Sequence, residues 1–212
     1  LFIGEGYRSL FLSDVGFNYP FLKVSTKLWR IQYDWIFTQL QDPLIPVIFE
    51  AGYKKKWASF HYMSVAIGSR VQVGLFEGVI FKGDSAGNGN FNWNYFNPVT
   101  LFRPIQYGVD GSGNNAVVGL NLKVVPFQKS AFYGQLLIDD LNFNKMGEAG
   151  YIDQRLGWQL GFKVYDPFGL KGLYARVEYN AVRPYTYAGE STLQSYTHYN
   201  QPLAHPLGAN FH

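Results

Sequence analysis

The sequence predicts an all-β fold, namely an antiparallel up-and-down transmembrane β-barrel, and three observations support this prediction. Segments in which apolar and polar residues alternate, as they do along a strand, recur through the 212 residues. Short and long connections alternate between these segments, which is typical of outer-membrane barrels with short periplasmic turns and long external loops. No apolar run approaches the ~20 residues that a transmembrane helix requires.

The composition excludes several classes of function. Charged residues make up 16% of the chain, fewer than the roughly 25% of an ordinary soluble domain. The formal net charge of +3 is too small to indicate a nucleic-acid partner or an acidic substrate. Cysteine is absent, which excludes disulfides and thiolate metal sites. The run Lys54, Lys55 and Lys56 indicates a solvated loop.

Eight strands are expected, and convincing helix patterns are absent. Most of the eight have the ~9–11 residues of a tilted strand that crosses a bilayer. Residues 44–53 are compatible with a short helix or with an extended loop. The predicted strands are residues 20–26, 29–40, 57–66, 70–81, 116–125, 131–140, 157–166 and 172–182.

The second strand shows the two faces most clearly. Because successive side chains alternate across a strand, one face is aromatic and the other is polar. We expect the aromatic face to contact lipid, and it consists of Trp29, Ile31, Tyr33, Trp35 and Phe37. The opposite faces of this and later strands should line the lumen, and their charged residues are Arg30, Asp34, Lys123, Lys163, Arg176 and Glu178.

Glu77 breaks the pattern, because it falls on the otherwise apolar face of the strand at 70–81. A carboxylate that faces lipid costs a few kcal/mol at the bilayer midplane. Gly74 and Gly78 flank it, and glycine inside a strand often marks a β-bulge. We therefore expect a bulge that turns Glu77 inward.

The connections indicate how the strands are organised. Four are short, at residues 26–28, 67–69, 126–130 and 167–171, whereas those at 41–56, 82–115 and 141–156 are long. Residues 183–212 are again loop-like. A barrel of only eight strands has a narrow, filled interior, and the chain begins without Met or a signal peptide. We expect residues 1–212 to be a single domain that is a contiguous part of a larger barrel. The alternative fold is a soluble β-sandwich.

Unusual strings occur in a fixed order in the loops and at their margins. They are Gly4-Glu5-Gly6-Tyr7-Arg8-Ser9-Leu10-Phe11-Leu12-Ser13-Asp14, Asn94-Tyr95-Phe96-Asn97-Pro98-Val99, Phe102-Arg103-Pro104-Ile105-Gln106-Tyr107, Tyr133-Gly134-Gln135-Leu136-Leu137-Ile138-Asp139-Asp140, Val177-Glu178-Tyr179-Asn180, Arg183-Pro184-Tyr185-Thr186-Tyr187 and Gln201-Pro202-Leu203-Ala204-His205-Pro206-Leu207-Gly208-Ala209-Asn210-Phe211. The ordered set resembles the capsule-assembly Wzi-like outer-membrane barrels, in particular the RemB-like branch of gliding Bacteroidetes-type bacteria. This resemblance covers essentially the whole chain.

The resemblance implies a large barrel in the bacterial outer membrane, with loops exposed at the cell surface and a periplasmic helical element. That element is not visible in this chain. The implied role is non-enzymatic: to bind, anchor or organise capsular or exported polysaccharide and, in the gliding branch, to support cell-surface motility. Alternative roles are an accessory component of a gliding-motility or protein-secretion assembly, and a diffusion porin.

Aromatic and cationic residues of the long loops are the candidate polysaccharide ligands. Flat aromatic faces pack on sugar CH groups, whereas amides and arginine bind hydroxyl or acidic groups. A structural role, in which these residues pin loops at the barrel mouth, is the alternative. The candidates are Trp93, Tyr95, Arg103, Tyr107, Arg183, Tyr185, Tyr187, His198 and Asn210.

The sequence contains no pattern that indicates an enzyme, a cofactor or a metal site. The candidate nucleophiles and bases, Ser13, Ser64, His61 and His198, lie in no nucleophile motif. His198 and His205 are too far apart for a metal pair on one helical turn. The expected partners are membrane lipid, surface polysaccharide and other outer-membrane, motility or secretion proteins.

Overall fold

A computed structural model describes residues 1–43, 53–82, 93–99, 114–140, 155–189 and 191–207. Ten strands and two short 3-10 helices, Trp93–Phe96 and Pro167–Gly169, are present in these residues. The strands are β1 (Phe21–Leu28), β2 (Ile31–Asp42), β3 (Lys54–Ile67), β4 (Val71–Lys82), β5 (Asn115–Val124), β6 (Ser130–Asp140), β7 (Arg155–Tyr165), β8 (Tyr174–Val182), β9 (Thr197–His198) and β10 (Gln201–Pro202).

Strands β1 to β8 form one antiparallel sheet in which each strand pairs with the next along the chain. The all-β prediction and all eight predicted strands are confirmed, and no strand end differs from the prediction by more than three residues. Within the described residues β1 and β8 are the two edges of the sheet, and they do not pair with each other. The register is continuous except for one irregularity between Ile138 and Asp140.

The alternation of short and long connections is also confirmed. Tight turns join β1 to β2 and β3 to β4, where Trp29 (φ 53°) and Gly68 (φ 67°) adopt the left-handed conformation. Such values suit short hairpin turns because they match the twist of the flanking strands. Trp29 and Arg30 therefore lie in a turn, and their assignment to the strand was wrong. Connections 43–53, 83–114 and 141–154 are long and all leave the opposite end of the sheet.

The two faces of the sheet differ in character, as the alternation predicted. One face, the polar face, includes Asp34, Gln72, Asn121, Gln135, Gln159 and Glu178. The other face, the apolar face, includes Leu22, Leu75, Leu120, Leu136, Leu160 and Val177. These six apolar side chains are all exposed, at up to 76% for Val177.

The described segments before β1 and after β8 fold back over the polar face. We call residues 1–20 the N-terminal segment and residues 183–207 the C-terminal segment. Phe11 is fully buried between the rings of Phe76 (4.4 Å between centroids, stacked) and Phe60 (5.7 Å, edge-on). Leu203 and Tyr196 of the C-terminal segment join the same apolar cluster. The main core of the described protein therefore lies between the sheet and these two segments.

Part of the apolar face is covered by residues 93–99, which we call the cover segment. The ring of Phe96 lies 5.0 Å from the rings of both Trp35 and Phe37, and Tyr95 stacks on Phe81 at 4.6 Å. Trp35 and Phe37 are only 5% and 7% exposed. The expectation that these two side chains face lipid was therefore wrong, because the protein itself buries them.

The expected β-bulge at Glu77 is absent. Pairing of β4 with β3 and with β5 is regular, so Glu77 stays on the apolar face opposite His61 and Val118. It is 5% exposed. The hydroxyl of Tyr33, on the same face, donates a hydrogen bond to the Pro98 carbonyl of the cover segment.

None of the helices in the described part of the chain is long and apolar enough to cross a membrane.

Replacing Phe11 with alanine should lower the free energy of unfolding by about 3–5 kcal/mol, since it removes a fully buried ring from a packed cluster. Phe127→Ala is the matched control, because that ring is 74% exposed in the connection between β5 and β6. Denaturant titration measures both changes. Equal stabilities of the two variants would show that the N-terminal segment does not contribute to the core.

Candidate functional site

The polar face holds a network of side chains centred on Glu178 of β8. Its Oε2 atom accepts hydrogen bonds from the hydroxyl of Tyr133 (2.6 Å) and from the backbone N–H of Tyr7 (2.7 Å). Its Oε1 atom accepts one from Nδ2 of Asn180 (2.8 Å). Gln159 of β7 donates to Oδ1 of Asn180 at 2.7 Å. Glu178 therefore fixes the N-terminal segment to three neighbouring strands.

Two lysines beside this network hold a carboxylate from the N-terminal segment. Glu5 Oε1 lies 3.0 Å from Nζ of Lys123, and Glu5 Oε2 lies 2.9 Å from Nζ of Lys163. Nζ of Lys163 also donates to the Glu5 carbonyl at 3.1 Å and lies 5.3 Å from the ring centre of Tyr133. All three charged side chains are partly exposed, between 17% and 32%. The arrangement is thus a carboxylate held by two cations within reach of solvent.

An exposed aromatic ring adjoins the two lysines. Tyr7 is 60% exposed, and its ring centre lies 4.4 Å from the guanidinium carbon of Arg8 and 5.2 Å from that of Arg176. Arg8 also forms an ion pair with Asp14 at 3.0 Å. A ring flanked by two guanidinium groups is a typical cation–π arrangement.

The C-terminal segment is anchored by a buried lysine. Nζ of Lys56 donates to the carbonyls of Thr192 (2.9 Å) and Ser195 (2.8 Å) and to Oγ1 of Thr197 (2.9 Å). Its side chain is fully buried. A solvated loop at Lys54, Lys55 and Lys56 was therefore the wrong prediction: β3 begins at Lys54, and Lys56 points into the protein.

His198 joins three parts of the chain. Its Nδ1 accepts a hydrogen bond from the backbone N–H of Gln41 (3.1 Å), and its Nε2 lies 3.2 Å from the carbonyl of Asn18. This pair of contacts requires the neutral imidazole with the proton on Nε2. Burial lowers the pKa of His198 below its usual value, although the hydrogen bond to Asn18 acts in the opposite direction. Both ring nitrogens of His198 are therefore engaged by other parts of the chain, so this residue has a structural role.

Two further predicted ligand residues are buried. Tyr187 is 2% exposed, and its hydroxyl donates to the Leu10 carbonyl at 2.7 Å. Burial raises the pKa of Tyr187 well above its usual value. Tyr95 is fully buried, and its hydroxyl accepts a hydrogen bond from Nδ2 of Asn114 at 2.9 Å. Like His198, these two tyrosines hold segments of the chain in place. This is the structural role that was the alternative to polysaccharide binding.

The predicted ligand residues are not brought together at one place. Trp93 is 74% exposed in the cover segment on the apolar face, whereas Tyr185 (48% exposed) and Arg183 belong to the C-terminal segment over the polar face. Arg103, Tyr107 and Asn210 lie outside the described residues.

Five of the six residues expected in the lumen share the polar face. Asp34 is 3% exposed, and its Oδ2 lies 3.5 Å from Nζ of Lys23. The other four belong to the networks around Glu5 and Glu178, namely Lys123, Lys163, Arg176 and Glu178. Arg30 is the exception, since it lies in the turn after β1 with its guanidinium 5.0 Å from the ring of Trp29.

Sequence reasoning missed the partners that complete these networks. Gln135 accepts a hydrogen bond from the N–H of Leu10 at 2.8 Å, and Gln159 donates to the Arg8 carbonyl at 2.7 Å. Strand alternation places both amides on the polar face and was the available signal. Nothing local indicated that Glu5 would meet Lys163, because the two residues lie far apart in the sequence.

The described residues bear on two chemical possibilities that the sequence raised. Ser64 lies on the polar face of β3, whereas His61 lies on its apolar face, so these two side chains cannot act together. Among the residues that the structure describes, no group of three or more histidines, aspartates or glutamates is placed to hold a metal ion.

Comparison of the chain with protein-family models, with curated proteins and with solved structures gave no match.

The anchoring of the C-terminal segment should depend on pH. A histidine whose pKa is lowered by folding stabilises the protein above its unfolded pKa of about 6.5, and this contribution is lost as the pH falls through the folded value. Burial lowers the pKa of His205 as well. Hydrogen exchange of the Tyr199 amide, which donates to the Gln41 carbonyl at 3.0 Å, should therefore become faster below about pH 6.5 after correction for intrinsic rates.

The matched variant for this test is His198→Asn, whose side-chain oxygen can replace Nδ1 as an acceptor but does not titrate. It should weaken the pH dependence, and His198→Asn/His205→Asn should remove it. Amides in the middle of β6 serve as the internal reference. A pH dependence that is the same in wild type and in the double variant would contradict the assignment.

Proposed function

We propose that this chain is part of a non-enzymatic β-barrel in the bacterial outer membrane that binds, anchors or organises surface polysaccharide. The observation that carries the proposal is the contrast between the two faces of the sheet. Across β5 to β8 one face is apolar and exposed. The other face carries the polar side chains together with a buried apolar cluster, and the N- and C-terminal segments cover it. Membrane barrels have this arrangement, whereas a soluble sheet buries its apolar face.

The extent of the exposed apolar surface supports contact with lipid. This surface continues across β5, β6, β7 and β8, and contiguous apolar patches of more than a few hundred Å² are rare on soluble monomers. Its most exposed members in these strands are Leu120, Leu122, Phe132, Leu160, Val177 and Tyr179. Contact with lipid would remove this apolar surface from water without the need for a protein partner.

The edges of the sheet support a barrel larger than the described strands. Unpaired N–H and C=O groups cost several kcal/mol each in the hydrocarbon of a bilayer. Since β1 and β8 do not pair with each other, further strands would be needed to close a barrel. This agrees with the resemblance of the ordered loop strings to Wzi-like and RemB-like barrels.

The polar face argues against the diffusion porin. Buried residues of the N- and C-terminal segments, among them Leu10, Phe11, Leu12, Tyr187 and Tyr196, occupy the space over this face. A pore lined by the described strands would be filled. No feature of the described residues favours the motility or secretion assembly over the polysaccharide-binding role.

Two exposed aromatic residues lie at the end of the sheet from which the long connections leave, which we call the long-loop end; the opposite end is the short-turn end. Substitution of these two residues tests the polysaccharide role. Trp93 and Tyr185 present flat rings to solvent, and stacking on sugar CH groups would use such rings. Replacing both with alanine should weaken binding of the cell's own capsular polysaccharide by intact barrels roughly fivefold or more, the equivalent of about 1 kcal/mol. Binding is measured by cosedimentation of labelled polysaccharide with barrels in liposomes.

The matched control is Phe127→Ala/Phe168→Ala, which removes two exposed rings from the short-turn end. Its binding should equal that of the wild type. The proposal fails if intact wild-type barrel does not bind the capsule and a deletion strain retains its capsule normally.

A further inference from the structure

We propose that Lys123 and Lys163 form a binding site for the carboxylate of an acidic oligosaccharide, and that Glu5 masks this site in the structure. The inference rests on the proposed function for the choice of a glycan as ligand. It differs from that function in location, because the site lies on the polar face and not in the long loops.

The first argument is that the site already holds a carboxylate. Glu5 places one oxygen 3.0 Å from Lys123 and the other 2.9 Å from Lys163. The two lysines come from β5 and β7, which are separated by β6, so the sheet fixes their spacing. A uronic acid presents the same two oxygens on a sugar ring, and it could replace Glu5 without any change in the strands.

The second argument is the charge of the part of the sheet that lies behind Glu5. Without Glu5, the neighbouring charges on β5, β7 and β8 are Lys123, Lys163, Arg176 and Glu178. The carboxylate of Glu178 is already engaged by Tyr133 and Asn180, both of which lie on the sheet. The surface left behind would therefore carry a net positive charge and would attract a polyanion.

The third argument is the aromatic surface next to the cations. Tyr133 lies beneath Nζ of Lys163, and the exposed ring of Tyr7 lies beside Arg176. Rings beside cations suit a ligand that has both carboxylates and apolar CH faces, as an oligouronate does. A simple anion such as phosphate would use only the lysines.

The fourth argument is that the Glu5 side chain can leave the two lysines while the N-terminal segment stays folded. The loop, residues 4–8, leaves the core at Ile3, whose N–H donates to the Leu12 carbonyl at 3.0 Å. Leu10, Phe11 and Leu12 are fully buried and hold the base of the loop. By contrast, the ion pairs of Glu5 are partly exposed, and such pairs stabilise little. A ligand carboxylate can therefore compete for the lysines.

Gly6 brings the loop close to the sheet. A Cβ atom at this position would lie 2.7 Å from Oε2 of Glu178 and 2.7 Å from Cδ of Gln159. These side-chain ends are engaged in hydrogen bonds with Tyr133 and Asn180, so Gly6→Ala should disturb the contact between the loop and the sheet while Glu5 itself is kept. This substitution should loosen the mask by a route independent of charge.

The test is calorimetric titration of the full chain in detergent micelles with tetragalacturonate, and with neutral maltotetraose as the reference sugar. Glu5→Gln should raise the affinity for tetragalacturonate roughly fivefold over wild type. Gly6→Ala should raise it in the same direction. Adding Lys123→Gln/Lys163→Gln to Glu5→Gln should remove the gain, and maltotetraose should not respond to any of these changes.

Asp166→Asn is the matched control, since it breaks a partly exposed lysine–carboxylate pair elsewhere, between Asp166 and Lys129 (2.6 Å). It should leave the affinity unchanged. The proposal is overturned if neither Glu5→Gln nor Gly6→Ala changes the affinity, if the lysine substitutions do not remove the gain, or if Asp166→Asn raises the affinity equally. Retained thermal unfolding transitions confirm that each variant is folded.

The oligouronate titration and the capsule-binding experiment report on different residues. Loss of capsule binding in the Trp93 and Tyr185 variant concerns the long-loop end, whereas the oligouronate titration reports on Lys123 and Lys163. If wild-type barrels bind no capsule but Glu5→Gln gains affinity for tetragalacturonate, the proposed function fails and the masked site stands.

Discussion

The structure depends on one geometric constraint, which is that side chains alternate between the faces of a sheet whose strands keep a single register. A slip of one residue in any pair of strands would exchange the two faces of the strands beyond it. It would move Gln159 to the apolar side and Leu160 under the N-terminal segment. The pairing across β1 to β8 shows one irregularity, near the long-loop end of β6. The faces are therefore consistent across the whole sheet.

The two faces of the sheet make different kinds of contact. On the polar face, the terminal segments supply both apolar contacts, as Phe11 does, and hydrogen-bond partners for the side-chain amides of Gln135 and Gln159. On the apolar face, the cover segment buries Trp35 and Phe37 but leaves Leu160 and Val177 exposed. In the proposed barrel, lipid covers the remainder. The same sheet thus packs against the terminal segments on one face and leaves an apolar surface on the other.

Strand positions could be predicted because alternation is a local signal that each strand carries in its own residues. The placement of the termini could not, because it depends on contacts between distant residues, such as Lys56 with Thr197 and Glu5 with Lys163. Residues 183–207 have no periodic pattern of their own. For the same reason Tyr187 and His198 resembled exposed loop ligands, although long-range hydrogen bonds bury them.

The errors on the apolar face have a different physical origin. An aromatic side chain that faces lipid and one that packs under another segment give the same sequence pattern, so Trp35 and Phe37 could not be told from a lipid-facing pair. Glu77 looked incompatible with that face, but the strand keeps its regular pairing there, and Glu77 is buried opposite His61 and does not face lipid. The sequence pattern alone distinguishes neither a buried aromatic residue from a lipid-facing one nor a buried carboxylate from one that a bulge turns inward.

The measurement that tests the central claim most directly is lipid contact at the apolar face. The chain has no cysteine, so Val177→Cys and Phe168→Cys can each carry a single fluorophore on the reconstituted protein. Nitroxide groups on lipid acyl chains should quench the label at Val177 strongly and the label at Phe168, in the turn after β7, weakly. A label at Val177 that is quenched by a water-soluble nickel complex and not by the lipid nitroxides would contradict the account.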